Sequence, residues 1–244
     1  MRAFSLVIPC ESNRLDLLAK TVRRYRELGL DRYPYEFVVP TRSLPSPGPL
    51  DRLGIRHRLV RYDYQGESFN PAMALNLGVG HARHDTLIVQ SPEVIAETDV
   101  LAQFSALPPG NYVAQVWDLG PTGRRERRLA VPDFIHDTAG AYFLAQFRRA
   151  DLLAINGWDE DFMGGYCFED NDFGRRWHTA GLPIELREEI VAEHQWHPRT
   201  AGTTPGWKRN CRLYHRKKAR GRSWCDNGLE KVKSREPDSP TLDS

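Results

Sequence analysis

Short apolar runs alternate with helix-period stripes through the first hundred residues. AFSLVIP (3–9) is a nearly continuous apolar run ending in proline, the pattern of a buried parallel strand. Asn13, with Asp16 three residues on, offers a helix cap. Leu15, Leu18, Val22 and Tyr25 then recur at spacings of three, four and three, which is one face of a helix. EFVVP (36–40) and HRLVRYDY (57–64) predict two more strands, the first followed by the Pro/Ser/Gly loop SLPSPGP (43–49). Asn70 before Pro71 marks a helix start, and DTLIVQSPEV (85–94) predicts a fourth strand that turns at Ser91-Pro92. This alternation predicts an α/β fold with a mostly parallel central sheet flanked by helices.

The second half is more mixed. YVAQVW (112–117) and AYFLAQF (141–147) read as strands on either side of a polar loop, GPTGRRERR (120–128). Residues 151–156 read as a short helix closed by Gly157. Phe173, Trp177 and Ala180 form a helical stripe that Gly181 and Pro183 end, and EIVAEH (189–194) reads as the last strand. The expected organisation is a catalytic unit over 1–206, with halves at 1–100 and 101–206. A basic extension over 207–235 and a disordered tail over 236–244 follow it.

Composition narrows the class without changing the fold. At 244 residues, 40% apolar and 27% charged, the chain has an ordinary globular make-up and ample length for a core. Its apolar runs are strand-sized rather than membrane-sized, and MRAFSLVIPC lacks the features of a signal peptide. Cys10, Cys167, Cys211 and Cys225 are scattered and form no CxxC pair, so free thiols in a reducing cytoplasm are expected. Net charge is +2, but residues 201–244 hold eleven Lys/Arg against five acids, which places +6 on the tail and −4 on the rest. The stretch 207–224 has eight Lys/Arg, interleaved aromatics and no acid. It suits an anionic partner, a nucleic acid or a membrane surface; it also reads as a solvated helix packed through Leu213 and Tyr214.

In open α/β sheets ligands bind at the carboxyl ends of strands, so Pro9-Cys10-Glu11 and Gln90-Ser91-Pro92-Glu93 should share one rim. The chain has no GxGxxG after its first strand, no Walker loop and no GxSxG, which argues against a dinucleotide site, a P-loop enzyme and an α/β-hydrolase. FMGGYCFEDNDFGRRW (162–177) crowds Glu169, Asp170 and Asp172 at a helix start, although like charges this close make one another harder to ionise. Asp170 and Asp172 would point about 200° apart on a helix and so serve different purposes, one toward a substrate and the other toward a cap or solvent. Gly164 and Gly165 would let backbone approach a ligand. His194 and His197, with nearby carboxylates, are ingredients of a divalent metal site, as they are of a structural pair.

Three segments, SLVIPCESNRLDLLAKTV, FNPAMALNLGVGHARHDTLIVQSPEV and INGWDEDFMGGYCFEDNDFGRRWHTAG, resemble family 2 glycosyltransferases of GT-A fold. The third resembles the C-terminal motif of galactosyltransferase-like members, in which Gly-Gly and then Glu-Asp open a helix. The resemblance spans roughly residues 3–200. It implies transfer of a sugar from a nucleotide-diphosphate sugar, UDP-linked by preference, to a hydroxyl acceptor such as a glycan, with Mn²⁺ or Mg²⁺ on the diphosphate. It implies inversion, with Asp170 as the base, Glu169 binding or orienting the acceptor, and His197 with His194 at the metal.

One departure matters. The family usually places Asp-x-Asp after the fourth strand, where this chain reads QSPE. Three readings stay open: Glu93 holds the metal with a histidine, the diphosphate and water hold a Mg²⁺, or metal dependence is lost. Oxygen plus imidazole suits Mn²⁺ and favours the first, while Glu93 also fits as the cap of a helix starting near Val94. Pro9, Glu11, Gln90 and Ser91 are candidates for the nucleotide-sugar pocket, Arg14 for the diphosphate and Asn76 for the nucleotide or a neighbouring loop. Trp158 is a candidate to stack on a sugar ring, although aromatics more often fill cores. Two alternatives share this fold: a nucleic-acid-modifying sugar transferase, and a non-catalytic sugar- or nucleotide-binding module.

Overall fold

The structure is a computed structural model that describes residues 2–44, 48, 50–64, 70–129, 143–198 and 204–235. The expected disordered tail, 236–244, lies outside the described residues.

The N-terminal half follows the apolar pattern closely. Strands β1 (Phe4–Val7), β2 (Tyr35–Thr41), β3 (His57–Arg61) and β4 (Thr86–Gln90) are all parallel, in the order β3-β2-β1-β4. Both faces of this sheet are covered. Phe4, Leu6, Phe37 and Ile88 pack with helix α1 (Leu15–Glu27), whereas Val7, Val38 and Val89 pack with helix α2 (Ala72–His81). That two-sided burial is why the strands read as continuous apolar runs. Asn13 is not a helix cap: Ser12–Arg14 form a 3-10 turn that leads into α1.

The C-terminal half mixes directions. Strand β5 (Val94–Ala96) is followed by helix α3 (Val100–Ala106) and by strands β6 (Tyr112–Leu119), β7 (Arg125–Arg128) and β8 (Leu144–Arg148). Helix α4 (Arg149–Ala154), helix α5 (Glu169–Thr179), strand β9 (Glu185–His194) and helix α6 (Pro205–Arg220) complete the described chain. The sheet continues as β4-β8-β6-β9-β5, with β7 on β6; among the described residues only β6 and β9 are parallel in this half. The polar run GRRERR therefore includes a strand rather than being wholly loop.

The C-terminal residues are packed on the domain. Thr204 caps α6 through the Trp207 N–H and Gly221 ends it in the left-handed region. Asn210 is fully buried and donates to the carbonyls of Phe162 and Cys167. Lys217 ion-pairs with Asp159 and Asp161, and Val232 packs close to Gly80 of α2. Gly164 and Gly165 admit this helix: a Cβ on Gly165 would lie 2.5 Å from both Asn210 Oδ1 and the Gly206 carbonyl. The close approach expected of these glycines is thus made by α6, where the sequence had suggested a ligand.

Asp172 faces neither solvent nor substrate. It is completely buried and binds both Arg175 (2.8 Å) and Arg176 (2.6 Å), while Arg176 also donates to the carbonyls of Ile155 and Gly157. This knot ties α5 to the α4 turn. Removing one partner of a buried pair leaves an uncompensated charge, so Asp172→Asn should cost about 3–5 kcal/mol. Urea titration would show a lowered midpoint at unchanged slope; a loss below about 1 kcal/mol would contradict this account.

Candidate active site

A cleft of about 910 Å³ opens at the carboxyl ends of the parallel strands. The loop after β1, the turn after β4, the ends of β6 and β9 and the segment leading into α5 all line it.

Strand register builds its most distinctive feature. No helix starts at Val94; instead β5 pairs with β9, Val94 opposite His194, and the Gln195 N–H donates to the Glu93 carbonyl at 2.9 Å. This removes the capping role for Glu93 and sets it between two imidazoles. His194 Nε2 and His197 Nε2 each lie 3.5 Å from Glu93 Oε1, and one ligand atom from each residue falls within 4.8 Å of the others.

The far side of each ring has its own partner. His197 Nδ1 sits 2.9 Å from the Pro198 carbonyl, which only accepts, so Nδ1 donates there and Nε2 is the atom turned toward Glu93. His194 Nδ1 sits 3.2 Å from Asp118 Oδ1, and Asp118 pairs with His194 in the β6–β9 register. Asp118 is 1% exposed. A carboxylate behind a histidine is the usual outer support of a metal ligand. Among the described residues His197 Nε2 is buried with no hydrogen bond and faces Glu93 Oε1 at 3.5 Å, so a cation between the two would satisfy both. Burial opposes the charge on Glu93, but His194, His197 and Arg14 outweigh it and hold the carboxyl well below its usual range. Two atoms bound to one ion at about 2.1 Å sit about 3–4 Å apart, which the 3.5 Å spacings match. These residues fit a divalent cation.

The acids before α5 divide their tasks. Glu169 lines the cleft, is 3% exposed and accepts from Asn70 Nδ2 at 2.9 Å. Asn70 Oδ1 in turn accepts from the Ala72 N–H at the start of α2. Asp170, expected to face the substrate, is not among the residues that line the cleft; it is buried next to Glu169 in the chain and accepts from the Asn171 N–H at 2.8 Å. Burial pushes its carboxyl up to about 6, although backbone N–H groups pull the other way. The preceding residues, Cys167 (φ 60°) and Phe168 (φ 75°), both lie in the left-handed region. That conformation costs about 1–2 kcal/mol per non-glycine residue. Helix α6 holds it through Asn210 on the Cys167 carbonyl, and through Trp207 and Tyr214 against the Phe168 ring. Cys167 lines the cleft, but burial with Glu169 and Asp170 nearby pushes its thiol up to about 12, so it is not a nucleophile at neutral pH.

Several expected residues join this cleft and others do not. Pro9, Glu11, Arg14, Gln90, Ser91, Glu93, Glu169, His194 and His197 line it. Among the described residues the Arg14 side chain makes no hydrogen bond or ion pair. Glu11 instead accepts from Arg42, Ser43 and Tyr62, and Gln90 is tied to Tyr25 and Val94. Trp158 is completely buried, stacked on Phe173 at 4.5 Å, and cannot meet a sugar. Asn76 binds Glu160 and both backbone groups of Trp158, so the neighbouring loop accounts for it. Asp118, Arg42 and Tyr62 escaped the sequence reading. Extending the carboxyl-end rule to β2 and β3 would have found the last two.

No protein-family model matches the chain. The "Uncharacterized glycosyltransferase YfnE" of Bacillus subtilis is 43% identical over 51 residues, which span 21% of this chain and 13% of that protein. Among solved structures, the catalytic domain of Drosophila β1,4-galactosyltransferase 7, in complex with xylobiose, superposes with a TM-score of 0.60 at 17% identity. That match covers 94% of this chain and 84% of the fly domain. TarS of S. aureus, in complex with UDP-GlcNAc, gives a TM-score of 0.64 at 12% identity over 95% of this chain and 69% of its own. The chain has the GT-A fold of these glycosyltransferases.

Proposed function

We propose that this protein is a nucleotide-sugar-dependent glycosyltransferase whose donor occupies the cleft beneath Glu93, His194 and His197. The observation that carries this reading is the three-residue cluster, with His197 Nε2 buried and unbonded, at the carboxyl rim of a GT-A sheet. The fly enzyme in a second crystal is complexed with manganese, UDP-Gal and xylobiose, and TarS with UDP-GlcNAc, which supports a UDP-sugar donor and a glycan acceptor.

Glu93 and the two Nε2 atoms would hold the cation, with Asp118 orienting His194. A bound Mn²⁺ or Mg²⁺ supplies Lewis-acid neutralisation of the charge growing on the diphosphate. Two imidazoles with one carboxylate favour Mn²⁺ over Mg²⁺. Arg14, which makes no side-chain hydrogen bond or ion pair among the described residues, pairs with the diphosphate. Glu169, braced by Asn70, orients the acceptor hydroxyl. That oxygen attacks the anomeric carbon, and the bond to the diphosphate oxygen breaks with its electron pair on the leaving group. Asp170 takes the hydroxyl proton, and a direct displacement inverts the anomeric centre.

The test is release of UDP from a panel of UDP-sugars by the purified protein with Mn²⁺ and simple saccharide acceptors. Release should cease on chelation and return on adding Mn²⁺. Binding of UDP-sugars with no turnover across the panel would favour the non-catalytic module.

A further inference from the structure

Of the seven cations of α6, three have contacts and four do not among the described residues; Arg209 donates to the Asp161 carbonyl and to Asn210 Oδ1. On the inner face Lys217 is consumed by Asp159 and Asp161, and Lys218 lies over the Tyr214 ring. On the outer face Lys208, Arg212, Arg216 and Arg220 follow one another at intervals of four residues. All four are exposed, and among the described residues their side chains make no hydrogen bond or ion pair. Residues at i, i+4 lie one above the other on a helix, so these cations form one row about 18 Å long. The helix contains no acid to neutralise them. Such an arrangement costs the isolated helix free energy, since like charges at i, i+4 repel.

We propose that this row docks the protein on the phosphate surface of an anionic lipid bilayer. Charge complementarity is the first argument: four unpaired cations face outward together, on a tail that carries +6 against −4 for the rest of the chain. Shape is the second. The row winds about 40° per step, about 120° in all, an arc that long Lys and Arg side chains span to reach one plane. The third is Trp224, three residues beyond the Gly221 cap and 43% exposed. An exposed indole beside a basic row suits the headgroup level of a bilayer, where its ring and its N–H are both satisfied. The inner face of the same helix grips the Cys167–Phe168 turn, which leaves the outer row free to dock. Vesicle binding is read without substrate, so this inference stands or falls separately from the catalytic reading.

The experiment is co-sedimentation of the full chain with vesicles of phosphatidylcholine alone and with about 30% phosphatidylserine. Wild type should bind only the anionic vesicles, with affinity falling as salt rises. The variant Lys208→Gln/Arg212→Gln/Arg216→Gln/Arg220→Gln should lose about fivefold per cation, several-hundred-fold in all. Its melting temperature should be no lower than wild type, because the four side chains make no hydrogen bond or ion pair among the described residues and their mutual repulsion is removed; Trp224→Ala should weaken binding on its own. Equal binding to neutral vesicles, or retained binding by a folded quadruple variant, would overturn the proposal. So would duplex DNA that displaces the protein from vesicles at equal phosphate concentration.

Discussion

Asp170→Asn is expected to lower sugar transfer by about 10²–10⁴-fold, the usual contribution of a general base. Donor binding should survive, because the substituted side chain lies beside the cleft lining and does not contact the metal cluster. The fold should survive too, since the amide is isosteric and the acceptor oxygen for the Asn171 N–H remains. A pH profile separates this role from a structural one. A base must be ionised, and burial raises the Asp170 carboxyl to about 6. Turnover of the wild type should therefore climb as pH rises through about 6 and level off above it. The variant's residual turnover should lack that limb. Full turnover in Asp170→Asn, or an unchanged acid limb, would remove Asp170 from the proton transfer.

Glu93→Gln is the second substitution with a large expected effect. It keeps the shape of the side chain but removes the one anionic ligand of the cluster. Losing an outer support such as Asp118, which binds His194 Nδ1 and Arg127, typically costs about 10–100-fold in metal affinity. Asp118→Asn should fall in that range, and Glu93→Gln should exceed it. Calorimetric titration of Mn²⁺ reads both without any activity assay. His197→Gln should also weaken Mn²⁺, because its Nε2 faces Glu93 across the proposed site with no hydrogen bond among the described residues. If all three variants bound Mn²⁺ like wild type, the cation would lie elsewhere.

The parts of the fold legible in sequence were those set by local pattern. Strands β1, β2 and β4 show themselves because both faces are buried, and α1 because one face is. Strand β9 begins at Glu185, four residues before the expected start, because its first half is charged and partly exposed. Strand β5 was unreadable, since a three-residue VIA after a turn looks like the start of a helix. The two histidines and Glu93 were singled out by residue type, but their meeting depends on the β5–β9 register, which couples positions a hundred residues apart. Asp118 could not be seen at all without the β6–β9 pairing. Trp158 illustrates the converse. An aromatic after a glycine turn suggests a sugar platform, yet α5 closes over it and leaves it in the core. The crowded acids resolve in the same way. Asp172 neutralises two buried arginines and Glu169 is tied to Asn70 at the start of α2, which leaves Asp170 as the acid proposed for proton transfer.

The account depends most on one cation site. A crystal soaked with Mn²⁺ and UDP, with data collected at the manganese absorption edge, addresses it directly. The anomalous peak should lie within bonding distance of Glu93, His194 Nε2 and His197 Nε2, with the diphosphate alongside and Arg14 turned toward it. UDP bound in the cleft with no peak between those three side chains, or a peak at another place in the molecule, would contradict it.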